Sequence, residues 1–225
     1  MKNYIFASNK NWHIDYFMHN RKKLPGNWSI VTCSEDLADQ VANISPRFIF
    51  FPHWSQMVEQ QIHTTVECVC FHMTDLPFGR GGSPLQNLIS RGVKQTIISA
   101  LRMTETLDGG PVYSKRNLRL EGSASDIYKS TAPICFEMMK SIVRDEPNPI
   151  EQVGEVVVFK RRKEKDSDLV DVKTVQEFYD HVRMLDAPGY PAAYLVHNGM
   201  KIKFNNAELD SSNHLVAKVR VTIDE

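Results

Sequence analysis

No charge of one sign prevails in this sequence. Lysine plus arginine and aspartate plus glutamate number 27 each, so the chain is neutral overall with histidine uncharged. A chain without a positive excess has no general attraction for a polyanion, which argues against a nucleic-acid partner. A local basic pocket for one diphosphate stays open. Cysteine is scarce: Cys33, Cys68, Cys70 and Cys135 are too few for a disulfide scaffold, and no Cys-x-x-Cys pair suggests zinc. No apolar run approaches the roughly 20 residues needed to cross a bilayer. Met1 to Ser8 is too short, and followed by too polar a stretch, for a signal peptide. The expected compartment is the cytoplasm, without a membrane partner. Internal repeats and low-complexity tracts are also missing.

What is present reads as an ordinary folded protein, with 42% hydrophobic and 24% charged residues. Short apolar runs alternate with amphipathic stretches. Tyr4–Ala7, Trp28–Cys33, Arg47–Phe51 and Glu67–His72 read as strands, with helices between them. Ser34 is the expected N-cap of the second helix, whose apolar stripe is Leu37, Val41 and Ile44. The run Arg-Phe-Ile-Phe-Phe suits a strand buried on both faces of a parallel sheet. A further strand is expected near Gln95–Met103, another at Val112–Leu120, and a long helix capped by Ser123. The pattern predicts an α/β fold, a doubly wound, mostly parallel Rossmann-like sheet over 1–148. Beyond Asp145-Glu146-Pro147-Asn148-Pro149 the pattern changes to a strand at Glu155–Phe159, a helix at Val175–Met184 and three strands. Asn198-Gly199 is a strong hairpin signal. Residues 149–225 are therefore expected to form a small α+β domain, mainly antiparallel.

Chemistry concentrates in Phe71-His72-Met73-Thr74-Asp75-Leu76-Pro77-Phe78-Gly79-Arg80-Gly81-Gly82-Ser83-Pro84. A histidine closes a buried strand and a constrained glycine loop follows. Glycine allows close ligand approach, and histidine exchanges protons near neutrality. The same residues equally suit a hydrogen-bonded histidine before a plain turn. The glycines match neither the P-loop nor Gly-x-Gly-x-x-Gly. Asp108-Gly109-Gly110 is a turn in itself, and gains interest only if its carboxylate meets His72, where it would fix the imidazole and raise its basicity. In a doubly wound sheet ligands bind beyond the carboxyl ends of strands, which puts Ser8 to Trp12, Pro52 to Ser55 and the residues after His72 at one crevice.

These segments together resemble the formyltransferases that use 10-formyltetrahydrofolate, a family with methionyl-tRNA formyltransferase and sugar N-formyltransferases among its members. The family motif is Asn-x-His, Ser or Thr two residues on, Leu-Pro, Arg-Gly, then Pro, with Asp-x-Gly farther along. This chain supplies His72, Thr74, Leu76-Pro77, Arg80-Gly81, Pro84 and Asp108-Gly109-Gly110 at matching spacing. Where the family has its catalytic asparagine, this chain has Cys70, a much weaker hydrogen-bond donor.

The resemblance implies a formyl transferase with His72 as general base, Asp108 as its orienting carboxylate, and the developing oxyanion met by His72 itself, Cys70 or nearby backbone amides. A covalent role for Cys70 is also conceivable, though the family needs none. The pterin of 10-formyltetrahydrofolate is expected along Phe51, Pro52, His53 and Trp54 and the segment ending at Asp108. Asn9, Asn11, Trp12, Thr74, Arg80 and Tyr190 are the candidates to touch the acceptor, with loop support as the other role of Thr74 and Arg80, and packing as that of Tyr190. Phe178–Tyr194 resembles sugar N-formyltransferases more loosely; the small C-terminal domain, the neutral charge and the short N-terminus favour a nucleotide-linked amino sugar as acceptor, such as one in the pseudaminic-acid pathway, and the family resemblance implies a homodimer. The alternatives are tRNA formylation, a folate-binding protein without transferase activity, and a hydrolase releasing formate.

Overall fold

The computed structural model describes residues 1–223. Strand and helix alternate through the first part: β1 (Asn3–Ala7), α1 (Asn11–Asn20), β2 (Asn27–Val31), α2 (Glu35–Ile44), β3 (Phe48–Pro52), α3 (Gln60–Thr65) and β4 (Glu67–His72). There follow β5 (Phe78–Gly81), α4 (Pro84–Ile89), β6 (Gln95–Arg102), β7 (Val112–Arg119) and the long α5 (Ala124–Asp145). The remainder holds β8 (Val157–Phe159), α6 (Val175–Arg183), β9 (Ala193–His197), β10 (Met200–Leu209) and β11 (Leu215–Ile223).

The main sheet has the order β2-β1-β3-β4-β6-β7. β1 runs parallel to β2 and β3, and β3 to β4, whereas β6 is antiparallel to β4. The expected α/β class with a mostly parallel sheet is borne out. All five residues of β3 are buried, as befits a central strand with apolar side chains on both faces. Ile5, Ala7, Ile49, Phe51 and Cys68 meet Val31, Leu37 and Ile62 in one core. From β1 the chain moves outward to β2, then returns past β1 to β3. The order thus reverses between β1 and β3, and that opening is where such sheets take ligands.

Two local expectations are corrected. Ser34 makes no side-chain cap and has helical backbone angles, so its hydroxyl cannot reach the amides it would satisfy from an extended cap. The strand expected over Glu155–Phe159 is shorter, and β8 pairs with β5 in a separate two-stranded ladder. Ser123 does cap α5: its Oγ accepts from the amide of Asp126 at 3.2 Å and donates to the Asp126 carboxylate at 2.6 Å.

The C-terminal strands form an antiparallel sheet of order β11-β10-β9. Asn198 and Gly199 both have positive φ, 49° and 71°, the paired left-handed geometry of a tight hairpin. Against this sheet lies α6, with the ring of Phe178 edge-on to Phe204 at 5.0 Å. Two compact units result, neither continuous in sequence: Met1–Gly81, Ile97–Leu118 and Lys129–Val158 form one, and Gly82–Thr96, Arg119–Tyr128 and Phe159 onward the other. Among the described residues, no helix is long and apolar enough to cross a membrane.

Candidate active site

In β4, as in any strand, side chains two apart share a face, so Cys68, Cys70 and His72 project together. His72 is the last residue of the strand and only 8% exposed. Its Nε2 lies 2.7 Å from the carbonyl oxygen of Gly79. A carbonyl only accepts, so Nε2 carries a proton and donates it. The other ring nitrogen faces Asp108, with Nδ1 3.6 Å from Oδ2. Gly79 reaches the imidazole because its φ of 76° lies in the left-handed region. Thr74 is fully buried, and its hydroxyl donates to the same carbonyl at 3.3 Å.

The carboxylate is held by its own loop. Asp108 has φ 52°, a conformation aspartate tolerates better than most residues. Its Oδ2 accepts the amide of Gly81 at 2.9 Å, so the end of β5 and the loop after β6 meet at one oxygen. A Cβ on Gly110 would stand 1.9 Å from the carbonyl oxygen of Arg102, so any side chain there would push the loop away from β6. Arg80 donates from Nε and Nη2 to the Oε1 of Gln152, at 3.0 and 2.7 Å.

Cys70 sits in the register between Phe51 on β3 and Leu101 on β6. Burial raises the pKa of its thiol strongly, and the nearby Cys68 and Asp108 add to the effect. At neutral pH the group is therefore a thiol, able to donate weakly, and a poor nucleophile.

A second group of candidates lies at the opening between β1 and β3. The Oγ of Ser8 donates to the carbonyl of Pro52 at 2.8 Å and the amide of Asn9 to Ser55 Oγ at 3.0 Å, tying the two strand ends together. His53, at φ 53°, meets Trp12 edge-on with ring centroids 5.4 Å apart. Behind them is His13, 6.2 Å from His53 and with Nε2 3.2 Å from the hydroxyl of Thr131. Burial pushes both histidines down to about 3; the His53 ring opposes charging of His13, and Lys10 opposes charging of His53. Phe51 and Pro52 are buried, Trp54 packs edge-on to Phe51 at 5.7 Å, and Asn11 is exposed. Beside the segment leading to Asp108 runs a cleft of about 400 Å³, lined by His63, Arg102, Met103, Thr104 and Glu105 among others. Tyr190 belongs to the second unit, stacked on Tyr128 at 5.4 Å. A larger hollow of about 840 Å³ lies wholly among second-unit residues and includes none of the candidates.

The structure thus brings His72, Asp108, Cys70 and Arg80 into one neighbourhood, and Asn9, Trp12 and His53 into another. His13 and Gln152 were passed over by the sequence reading. His13 carries a faint signal, one residue beyond Trp12 in the first turn of α1. Gln152 carries none. Among the described residues no cluster of three or more histidine, cysteine or acidic side chains could hold a metal.

Residues 164–222 match the model of the methionyl-tRNA formyltransferase C-terminal domain. Methionyl-tRNA formyltransferase of Bacillus thuringiensis is 27% identical over 178 residues, 75% of this chain and 56% of the relative; the chain therefore spans little more than half the length of the curated relatives it matches. The structure of a methionyl-tRNA formyltransferase from Clostridium thermocellum superposes with a TM-score of 0.95 at 38% identity, covering 99% of this chain and 100% of that one. A sugar N-formyltransferase from Shewanella reaches a TM-score of 0.66 at 14% identity, covering 97% and 96%, which speaks for the fold alone. These findings overturn the amino-sugar acceptor: the likeness is far greater to a protein named for methionyl-tRNA. A zero net charge is a sum over the chain and hides local runs. On the strength of that full-length likeness, the chain belongs to the formyltransferase family that includes methionyl-tRNA formyltransferase.

Proposed function

We propose that this protein is a one-carbon transferase that moves the formyl group of 10-formyltetrahydrofolate to the amino group of methionyl-tRNA. The observation that carries the chemistry is the setting of His72. Its Nε2 donates to the Gly79 carbonyl, and its Nδ1 faces the Asp108 carboxylate. A carboxylate fixed beside an imidazole orients it and stabilises the imidazolium that forms when the base takes a proton. The folate supplies an activated formyl carbon. Nδ1 of His72 takes the proton that the attacking amine releases and returns it to the nitrogen that departs. The Cys70 thiol donates weakly towards the developing negative oxygen, where an amide would donate more strongly. Phe51 to Trp54 and the segment before Asp108 are the residues we assign to the pterin; the cleft beside that segment gives it room.

The acceptor assignment rests on the relatives and on one local feature. Lys160, Arg161, Lys163 and Lys165 are all exposed, a positive run suited to a phosphate backbone in spite of the neutral whole. A tRNA acceptor places the reaction in the cytoplasm. The test is incubation with 10-formyltetrahydrofolate and methionyl-tRNA, followed by deacylation and mass spectrometry. Formylmethionine is the expected product. Tetrahydrofolate and free formate without formylmethionine would identify a hydrolase, and bound folate without turnover a binding protein.

A further inference from the structure

We infer that Gln152 is a positioning residue for the reaction: it fixes the Asp108 loop so that the carboxylate meets His72. The inference rests on the proposed formyl transfer. Gln152 lies between α5 and β8, outside every motif that points to the site. Its carboxamide nevertheless uses all of its hydrogen-bonding capacity there. Oε1 accepts twice from the Arg80 guanidinium, at 3.0 and 2.7 Å. Nε2 donates to the carbonyl of Asp108 at 2.9 Å and to the carbonyl of Gly110 at 2.7 Å. The orientation of the amide is unambiguous, since a guanidinium only donates and a carbonyl only accepts.

The two carbonyls belong to Asp108 itself and to Gly110, so both lie in the turn that follows the Asp108 Cα. Asp108 has left-handed backbone angles, a state that a free loop would leave readily. Gln152 pins that turn at two points, while the Gly81 amide holds the carboxylate itself. Through Arg80, which lies beside Gly81 in β5, the same amide ties the Asp108 loop to the loop that carries the Gly79 carbonyl and thus orients the imidazole. A glutamine suits this place because it accepts from one loop and donates to the other. A carboxylate of the same shape would satisfy Arg80 and repel both carbonyls.

The experiment compares wild type, Gln152→Glu and Gln152→Ala in formyl transfer to methionyl-tRNA, each also in an Asp108→Asn background. Gln152→Glu keeps size and the Arg80 partner, so it guards against a variant that merely unfolds. We expect kcat to fall about 10- to 100-fold in both variants, the scale of a displaced catalytic group. KM for 10-formyltetrahydrofolate should change by less than about threefold, because the residue acts on the proton-transfer pair rather than on binding. In the Asp108→Asn background the same substitutions should cost less than about threefold, since the group they position is no longer a carboxylate. Full kcat in Gln152→Glu, a loss confined to KM, or a loss that multiplies with that of Asp108→Asn would overturn the inference while leaving the function intact. A wild type that transfers no formyl group would overturn the function and the inference with it.

Discussion

Histidines stand at two places along the carboxyl ends of the main sheet, and the places differ in their neighbours. His72 has a carboxylate 3.6 Å from Nδ1 and a carbonyl beside Nε2. His13 and His53 have each other, an indole and a lysine, and burial pushes both down to about 3. The second environment refuses a proton; the first sets a carboxylate beside the ring. Burial alone opposes a charged imidazole, whereas a neighbouring carboxylate gives an imidazolium its partner. The neutral pair suits hydrogen bonding and stacking to an uncharged ring, consistent with the assignment of His53 to the pterin.

The sharpest way to break this contrast is to remove the carboxylate. Asn tolerates the left-handed angles of Asp108, so Asp108→Asn should fold and lose about 10³-fold or more in single-turnover formyl transfer. Gly110→Ala attacks the same carboxylate through the backbone: with a Cβ aimed 1.9 Å from the Arg102 oxygen, the loop must shift, and kcat should drop about 100-fold in a protein that still melts cooperatively. The neutral pair is tested by acid. Below the ordinary histidine value of 6.5 the unfolded chain takes up protons that His13 and His53 refuse until about pH 3, so their contribution to stability is complete above 6.5 and is lost as pH falls towards 3. Denaturant unfolding across that range should show a slope that His13→Asn lowers by about 1.4 kcal/mol per pH unit. The smallest effect is expected at Cys70: because a thiol donates weakly, Cys70→Ala should reduce kcat by less than about tenfold. At neutral pH iodoacetamide should label the partly exposed Cys33 well before the buried Cys68, whose thiol burial holds protonated.

How far the sequence could be read depended on the range of the interaction. Strands β1, β3 and β4 were legible because their apolar runs answer to one local cause, burial between helices. The His72 loop and the Asp108 turn were legible as separate motifs, and their meeting was expected only through family resemblance. Which imidazole nitrogen meets the carboxylate was not legible, since it depends on the Gly79 carbonyl, placed by a left-handed backbone. Ser34 looked like a cap because its residue type is right, yet its backbone angles are not. Gln152 escaped notice because its partners are Arg80, Asp108 and Gly110, far away along the chain and joined to it by side-chain amide bonds that leave no periodic trace. The acceptor expected from the sequence leaned on net charge, which averages over exposed cationic residues such as Lys160, Lys163 and Lys165.

The measurement that bears most directly on the account is single-turnover formyl transfer to methionyl-tRNA by His72→Asn and His53→Asn side by side. Asn suits the positive φ of His53. The account predicts that His72→Asn loses about 10³-fold in rate at saturating folate, whereas His53→Asn binds 10-formyltetrahydrofolate more weakly and keeps its saturated rate within about tenfold. Equal losses of saturated rate in the two variants, or a larger loss in His53→Asn, would contradict it.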